Sequence, residues 1–215
     1  MDLRITEIFL SIQGESSHAG RPCAFVRLTG CPMRCRWCDS EYTFTGGTRM
    51  EFSEIFERLE HFGCKLVEVT GGEPLAQKNA NLFITELCDQ GYEVLLETGG
   101  FFSIAEVDPR AKIILDVKCP GSGEAERNYW PNLELLRPEK DEVKFVVADR
   151  DDWEFAKSVI IDNRLKERAK ELLISPVHDI DNLAELASEI ASGGLPVRLN
   201  LQIHKYIWGA TARGV

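Results

Sequence analysis

Between Gly30 and Ser40 the chain reads Gly-Cys-Pro-Met-Arg-Cys-Arg-Trp-Cys-Asp-Ser, with three cysteines inside eight residues. One loop can wrap the thiolates of Cys31, Cys35 and Cys38 around a compact inorganic centre. A structural zinc site closes with four protein ligands, and no convincing fourth lies nearby, so the trio reads as an open site. Three thiolates can hold three irons of a [4Fe-4S] cluster and leave the fourth iron to a non-protein ligand, whereas an electron-transfer cluster takes a fourth cysteine. The alternative is a zinc knuckle completed at a distance by Cys119 or His18.

A second motif, Thr70-Gly71-Gly72-Glu73-Pro74, follows an apolar segment. Paired glycines let a backbone approach a ligand without side-chain interference, and Glu73 can accept from a cationic amine. Further along, Asp116 and Lys118 can pair with each other or reach a ligand; both readings stay open. Ser122, in the glycine-bracketed Pro120-Gly121-Ser122-Gly123 turn, is another polar candidate.

These residues need a frame. An apolar segment covers residues 5–11, and apolar runs predict strands at residues 23–28, 66–70, 93–97, 113–117, 143–147, 172–175 and 197–201. Helical spacing predicts helices from Ser53 to about His61, over 81–90, over 151–171 and over 181–191, with 124–137 an irregular excursion. Strands alternating with helices imply βαβ units and a mostly parallel sheet with helices on its outer face. Six or seven such strands are too few for a closed eight-stranded barrel, and ligand groups should collect in the loops after the strands.

Composition narrows the classes. The 215 residues, 44% of them hydrophobic, suit a single globular domain spanning 1–215. A formal charge of −10 argues against nucleic acid as a partner, since such proteins carry basic patches. No apolar run approaches about 18 residues and no basic-then-apolar leader opens the chain, so the expectation is a cytoplasmic protein without a membrane partner. Seven cysteines, widely spread, suit reduced thiols better than a disulfide scaffold; Cys23, Cys64 and Cys88 read as small hydrophobes.

The Cys-x3-Cys-x2-Cys spacing with Trp37 before the last cysteine, followed by Gly71-Gly72-Glu73-Pro74, resembles the radical S-adenosylmethionine superfamily. The resemblance implies a [4Fe-4S] cluster on Cys31, Cys35 and Cys38. It implies S-adenosylmethionine bound by Trp37, Asp39, Gly71, Gly72, Glu73, Asp116, Lys118 and Ser122, and its reductive cleavage to a 5'-deoxyadenosyl radical. Ser11-Ile12-Gln13-Gly14-Glu15, Phe25-Val26-Arg27-Leu28, Cys38-Asp39-Ser40 and Gln202-Ile203-His204-Lys205 closely resemble the 7-carboxy-7-deazaguanine synthase family, collinearly from about residue 5 to 208.

That likeness implies a partial (β/α)6 barrel, usually a homodimer, acting on a small pterin, 6-carboxy-5,6,7,8-tetrahydropterin, on the route to deazapurines such as queuosine. It implies an electron donor such as a flavodoxin or ferredoxin. Residues 1–22 would form a substrate-binding extension. Ile12, Gln13, Gly14, Glu15 and Arg27 would hold the pterin and its carboxylate, with Thr70 adding a hydrogen bond and His204 closing the pocket. Mg2+ would bind the hydroxyl of Ser40, where the family commonly has threonine. Ser16, where a glycine is common, and Pro32-Met33 are further departures. Rival readings are a glycyl-radical activating enzyme and a zinc-stabilised binding module.

Overall fold

Alternation within the strands decides the architecture. The computed structural model describes residues 1–215 as a sheet of nine strands: β1 (Asp2–Ile12), β2 (Pro22–Leu28), β3 (Thr48–Glu51), β4 (Leu66–Gly71), β5 (Glu93–Thr98), β6 (Lys112–Val117), β7 (Glu142–Val147), β8 (Glu171–Pro176) and β9 (Arg198–Leu199). Helices α1 (Phe52–Phe62), α2 (Ala80–Asp89), α3 (Arg150–Asp162), α4 (Leu183–Ser192) and α5 (Ile203–Trp208) complete it. Strand order is β3-β1-β2-β4-β5-β6-β7-β8-β9. Neighbours from β2 onward are parallel, and β1 runs antiparallel to β2 and β3. The expected mostly parallel, helix-covered sheet is present, and it stays open because β3 and β9 each pair on one side only.

Period-two alternation gives the sheet two unlike faces. Val67 and Val69, Val94 and Leu96, Ile113 and Leu115, Val143 and Phe145 point outward into a 40-residue core shared with α1, α2 and α3. The intervening residues point inward, where Cys23, Phe25, Leu66, Leu95 and Ile114 form a second, five-residue apolar layer. Phe9 stacks on Phe25 with centroids 4.9 Å apart. Above that layer the inner positions turn charged, and there the cavity begins.

Several element boundaries differ from the sequence-based expectation. The apolar segment at 5–11 lies within the longer strand β1, and β3 is an unanticipated four-residue edge. Helix α1 starts at Phe52, capped by Glu51, whose N–H donates to Glu54 Oε2 at 2.7 Å, and not by Ser53. Helix α3 stops at Asp162 instead of running to residue 171, because Arg164 takes a left-handed conformation (φ 52°) that an α-helix cannot continue through. Strand β9 is only Arg198–Leu199, and α5 follows it. No α-helix joins β5 to β6 or β6 to β7; the latter connection, as expected, is a series of 3₁₀ turns.

Phe83 of α2 is fully buried and packs against Phe52 (5.1 Å) and Phe56 (5.6 Å). Phe83→Ala should lower unfolding free energy by about 3–5 kcal/mol, read from urea denaturation.

Candidate active site

The cysteine loop leaves β2 and is pinned from two sides. On one side Glu73 N donates to Gly30 O at 2.8 Å. On the other, Arg34 N donates to Glu124 Oε1 at 2.7 Å, Arg36 N to Ser122 O at 3.0 Å, and Arg127 Nη1 to Pro32 O at 2.6 Å. Gly72 lies so close beneath the loop that a Cβ there would stand 2.4 Å from Gly30 O and 2.7 Å from Cys31 Cβ. A side chain has no room.

Cys31, Cys35 and Cys38 are free, half-buried thiols on the wall of a cavity of about 590 Å³. Burial pushes all three up in pKa, so a bound cationic centre would have to draw off their protons. No group of three or more His, Cys, Asp or Glu side chains forms a ready site for a single metal ion. Three thiols on one cavity wall are the donor set of a cubane cluster with one iron open. Neither distant zinc candidate joins them: Cys119 is buried in the outer core and His18 Nε2 lies 3.2 Å from Glu93.

The cavity's inner wall is built from one charged residue per strand. Arg27 (β2), Glu68 (β4), Glu97 (β5), Asp116 (β6) and Lys144 (β7) all line it. Arg27 Nε binds Glu7 Oε1 at 2.7 Å, Tyr42 donates to the same oxygen at 2.7 Å, and the two terminal guanidinium nitrogens of Arg27 remain unpaired. Asp116 Oδ2 pairs with Lys118 Nζ at 2.9 Å, while its buried Oδ1 has no partner. The structural ion pair is therefore present, and it orients Asp116 on the cavity wall with Oδ1 turned away from the open space.

Lys144 contacts three carboxylates: Glu15 at 3.0 Å, Glu97 more closely, and Asp116 at 3.8 Å. Burial alone would lower its pKa, but Glu15 and Glu97 hold it well above the usual lysine range. Burial would likewise raise Glu15, yet Lys144 and the Gln202 amide keep it below the usual carboxylate range. Glu15 is therefore an ionised acceptor.

The Gln13-Gly14-Glu15 turn enters from the amino-terminal end of the parallel strands, opposite the cysteine loop. The distinctive motifs thus do not all sit on one rim, as the strand-end rule suggested. Ser17 N donates to Glu142 Oε2 at 3.2 Å and Arg21 pairs with Glu93 at 2.6 Å, sealing the lower end. Helix α5 closes over the turn: Ile203 N donates to Gly14 O at 3.0 Å, and a Cβ on Gly14 would stand 2.0 Å from His204 Nδ1. Lys205 binds Asp39 at 2.9 Å and Gln202 binds Glu15 at 2.8 Å, so α5 ties the turn to the cysteine loop. Burial lowers the His204 pKa, though Glu15 opposes this, which favours a neutral imidazole.

Of the residues singled out from the sequence, Ile12, Gln13, Gly14, Glu15, Arg27, Cys31, Cys35, Trp37, Cys38, Asp39, Ser40, Thr70, Gly71, Gly72, Asp116, Lys118 and His204 share this one cavity. Glu73 and Ser122 do not line it. Glu73 is fully buried, accepting from Thr98 Oγ1 (2.8 Å), Gly99 N (2.8 Å) and Leu75 N (3.0 Å), and so locks the loops after β4 and β5 together. Ser122 Oγ donates to Cys119 O at 2.6 Å, holding the turn that braces Arg36. Ser40 Oγ donates to Asp39 Oδ1 at 3.0 Å, and a hydroxyl at this position suits a hard cation that takes its other ligands from water or substrate.

Sequence reasoning missed Glu68 and Lys144, whose signal is a lone charge at alternate positions of apolar strands. It also missed the cavity-lining run Gly209–Val215, where Arg213 lies over Tyr42 at 4.1 Å.

Residues 25–117 match the Radical SAM superfamily. Over 215 residues the chain is 47% identical to a 7-carboxy-7-deazaguanine synthase of Chlorobaculum tepidum, covering 99% of this chain and 97% of that one. It is 43% identical to the enzyme of that name from Koribacter versatilis over 227 residues, covering 99% and 100%. In fold it is similar to the crystal structure of QueE from Escherichia coli, with a TM-score of 0.74, 23% identity and 94% coverage of each chain.

Gly72→Ala should displace the cysteine loop. The iron retained per chain after reconstitution should fall below that of the wild type, with the circular dichroism spectrum unchanged.

Proposed function

The chain belongs to the 7-carboxy-7-deazaguanine synthase family of the radical SAM superfamily, and we propose that its cavity converts 6-carboxy-5,6,7,8-tetrahydropterin to 7-carboxy-7-deazaguanine with loss of ammonia. One observation carries this reading: the thiol trio, the ionised Glu15 and the unpaired guanidinium fork of Arg27 line one cavity of about 590 Å³. When bound by Cys31, Cys35 and Cys38, a [4Fe-4S] cluster and S-adenosylmethionine supply a 5'-deoxyadenosyl radical.

The residues of the chain supply binding and orientation. Gly71 and Gly72 offer backbone to the methionyl end of S-adenosylmethionine, and the paired Asp116 and Lys118 line the wall beside its ribose and carboxylate. Glu73 acts from beneath, fixing that backbone. Arg27 presents its two free nitrogens to the substrate carboxylate, a planar match for two parallel hydrogen bonds. Glu15 accepts N–H groups of the pterin ring, Gln13 and Thr70 add polar contacts, and His204 covers Gly14. Ser40 holds Mg2+ beside the substrate carboxylate, and Trp37 and Asp39 border S-adenosylmethionine.

The enzyme acts in the cytoplasm as a homodimer served by a flavodoxin- or ferredoxin-type donor, with residues 1–22 as the substrate-binding extension. No helix is long and apolar enough to cross a membrane.

Reduced, cluster-loaded protein incubated with S-adenosylmethionine, Mg2+ and the carboxytetrahydropterin should yield 7-carboxy-7-deazaguanine by mass; an intact cluster without product overturns the reading. Arg27→Ala should raise KM for the pterin about 10- to 100-fold, as expected for losing charge-assisted hydrogen bonds. Ser40→Ala should abolish stimulation by Mg2+ while leaving the cluster spectrum intact.

A further inference from the structure

Three carboxyl groups, Glu15, Glu68 and Glu97, crowd the middle of the inner face, and one lysine serves them unequally. Lys144 contacts Glu15 and Glu97. Glu68 contacts no cation. Arg27, on the neighbouring strand, has its Nε turned to Glu7. The one hydrogen bond of the Glu68 side chain is to Oε2, which accepts from Gln13 Nε2, and Gln13 Oε1 in turn accepts from Glu15 N. Oε1 has no partner in the chain, is not among the sealed-off orphan atoms, and belongs to a residue lining the cavity.

We propose that Glu68 stands in this cavity as a neutral carboxylic acid that orients the substrate, its Oε2 accepting from Gln13 and its Oε1–H donating to a ring carbonyl or unprotonated ring nitrogen of the pterin. The proposal rests on the substrate reading above. Two neighbouring carboxyl groups then do opposite work: ionised Glu15 accepts from the ring's N–H groups, and neutral Glu68 donates to its acceptor. A pyrimidinone edge carries both kinds of group, so the pair reads it in one orientation.

The groups facing Glu68 sustain this state. They are Gln13 and Glu15 from the turn after β1, Cys23 and Arg27 from β2, Glu97 from β5 and Lys144 from β7. Burial, then the charge of Glu97, pushes Glu68 from 4.5 up to about 8, against the hydrogen bond from Gln13 and the weaker pull of Arg27. Because the folded pKa is the higher one, the stability tied to the bound proton is full below 4.5 and gone once the pH has risen through about 8.

The test compares reconstituted wild type with E68Q, which is neutral and isosteric, and with Glu68→Leu, which can neither accept nor donate. Glu68→Leu should raise KM for the carboxytetrahydropterin about tenfold, the scale of one lost buried hydrogen bond, with kcat changed less. E68Q should bind at least severalfold more tightly than Glu68→Leu. Wild-type KM should rise as the pH passes about 8, and that of E68Q should not. Equal impairment of the two variants, or a wild-type KM flat with pH, overturns the proposal.

A measurement without pterin separates this from the substrate reading. The infrared difference between wild type and E68Q should show a protonated carboxyl stretch that fades as pH rises through about 8. Its absence overturns the neutral Glu68 even in an active enzyme. Its presence in a protein that does not bind the pterin overturns the assigned substrate instead.

Discussion

Lys144 is the interaction on which the interior depends. Burying an ammonium group costs several kcal/mol unless paired charges offset the lost hydration, and here Glu15, Glu97 and Asp116 surround it. Those three come from the turn after β1, from β5 and from β6, so one side chain on β7 ties a non-adjacent segment into the middle of the sheet. Without it the turn carrying Gln13 and Glu15 would bring a desolvated carboxylate to an acidic wall. The same lysine leaves Glu68 unserved, and that imbalance sets the protonation pattern of the wall.

Glycines govern the other end of the cavity for a different reason. At Gly71 (φ +153°) a Cβ would stand 2.3 Å from Leu28 O, and at Gly99 one would stand 2.2 Å from Met33 Cε. With Gly72 they form a close-packed backbone platform under the cysteine loop, and Glu73 fixes it through Thr98 and Gly99. The cavity is thus lined by paired charged side chains at one end and by close-packed backbone at the other. The charged end suits a ring with many hydrogen-bonding groups, and the backbone end suits a cluster that must not shift.

What could be read from the sequence followed contiguity. The cysteine loop and the Thr70–Pro74 turn carry their chemistry in adjacent residues, and each follows an apolar strand, so both motifs and their places could be inferred. Glu68, Glu97 and Lys144 are single charges inside strands, and their meaning arises only when the register sets them beside one another. Edge strand β3 and helix α5 are too short for periodicity to reveal, since α5 is fixed by Ile203 N on Gly14 O and by Lys205 on Asp39. The over-long α3 reflects apolar spacing that continues past Asp162 while the backbone turns left-handed at Arg164.

The two-faced sheet has a consequence for how the chain finds its structure. A strand displaced by one residue against its neighbour exchanges its faces. For β4, β5, β6 or β7 that would drive Glu68, Glu97, Asp116 or Lys144 into the aliphatic layer under the helices and turn valines and leucines toward water. In most sheets a slipped register costs packing alone; here it also strands an unpaired charge in oil. The groups that line the cavity therefore act as proofreaders during folding, rejecting misaligned strands before any ligand is present.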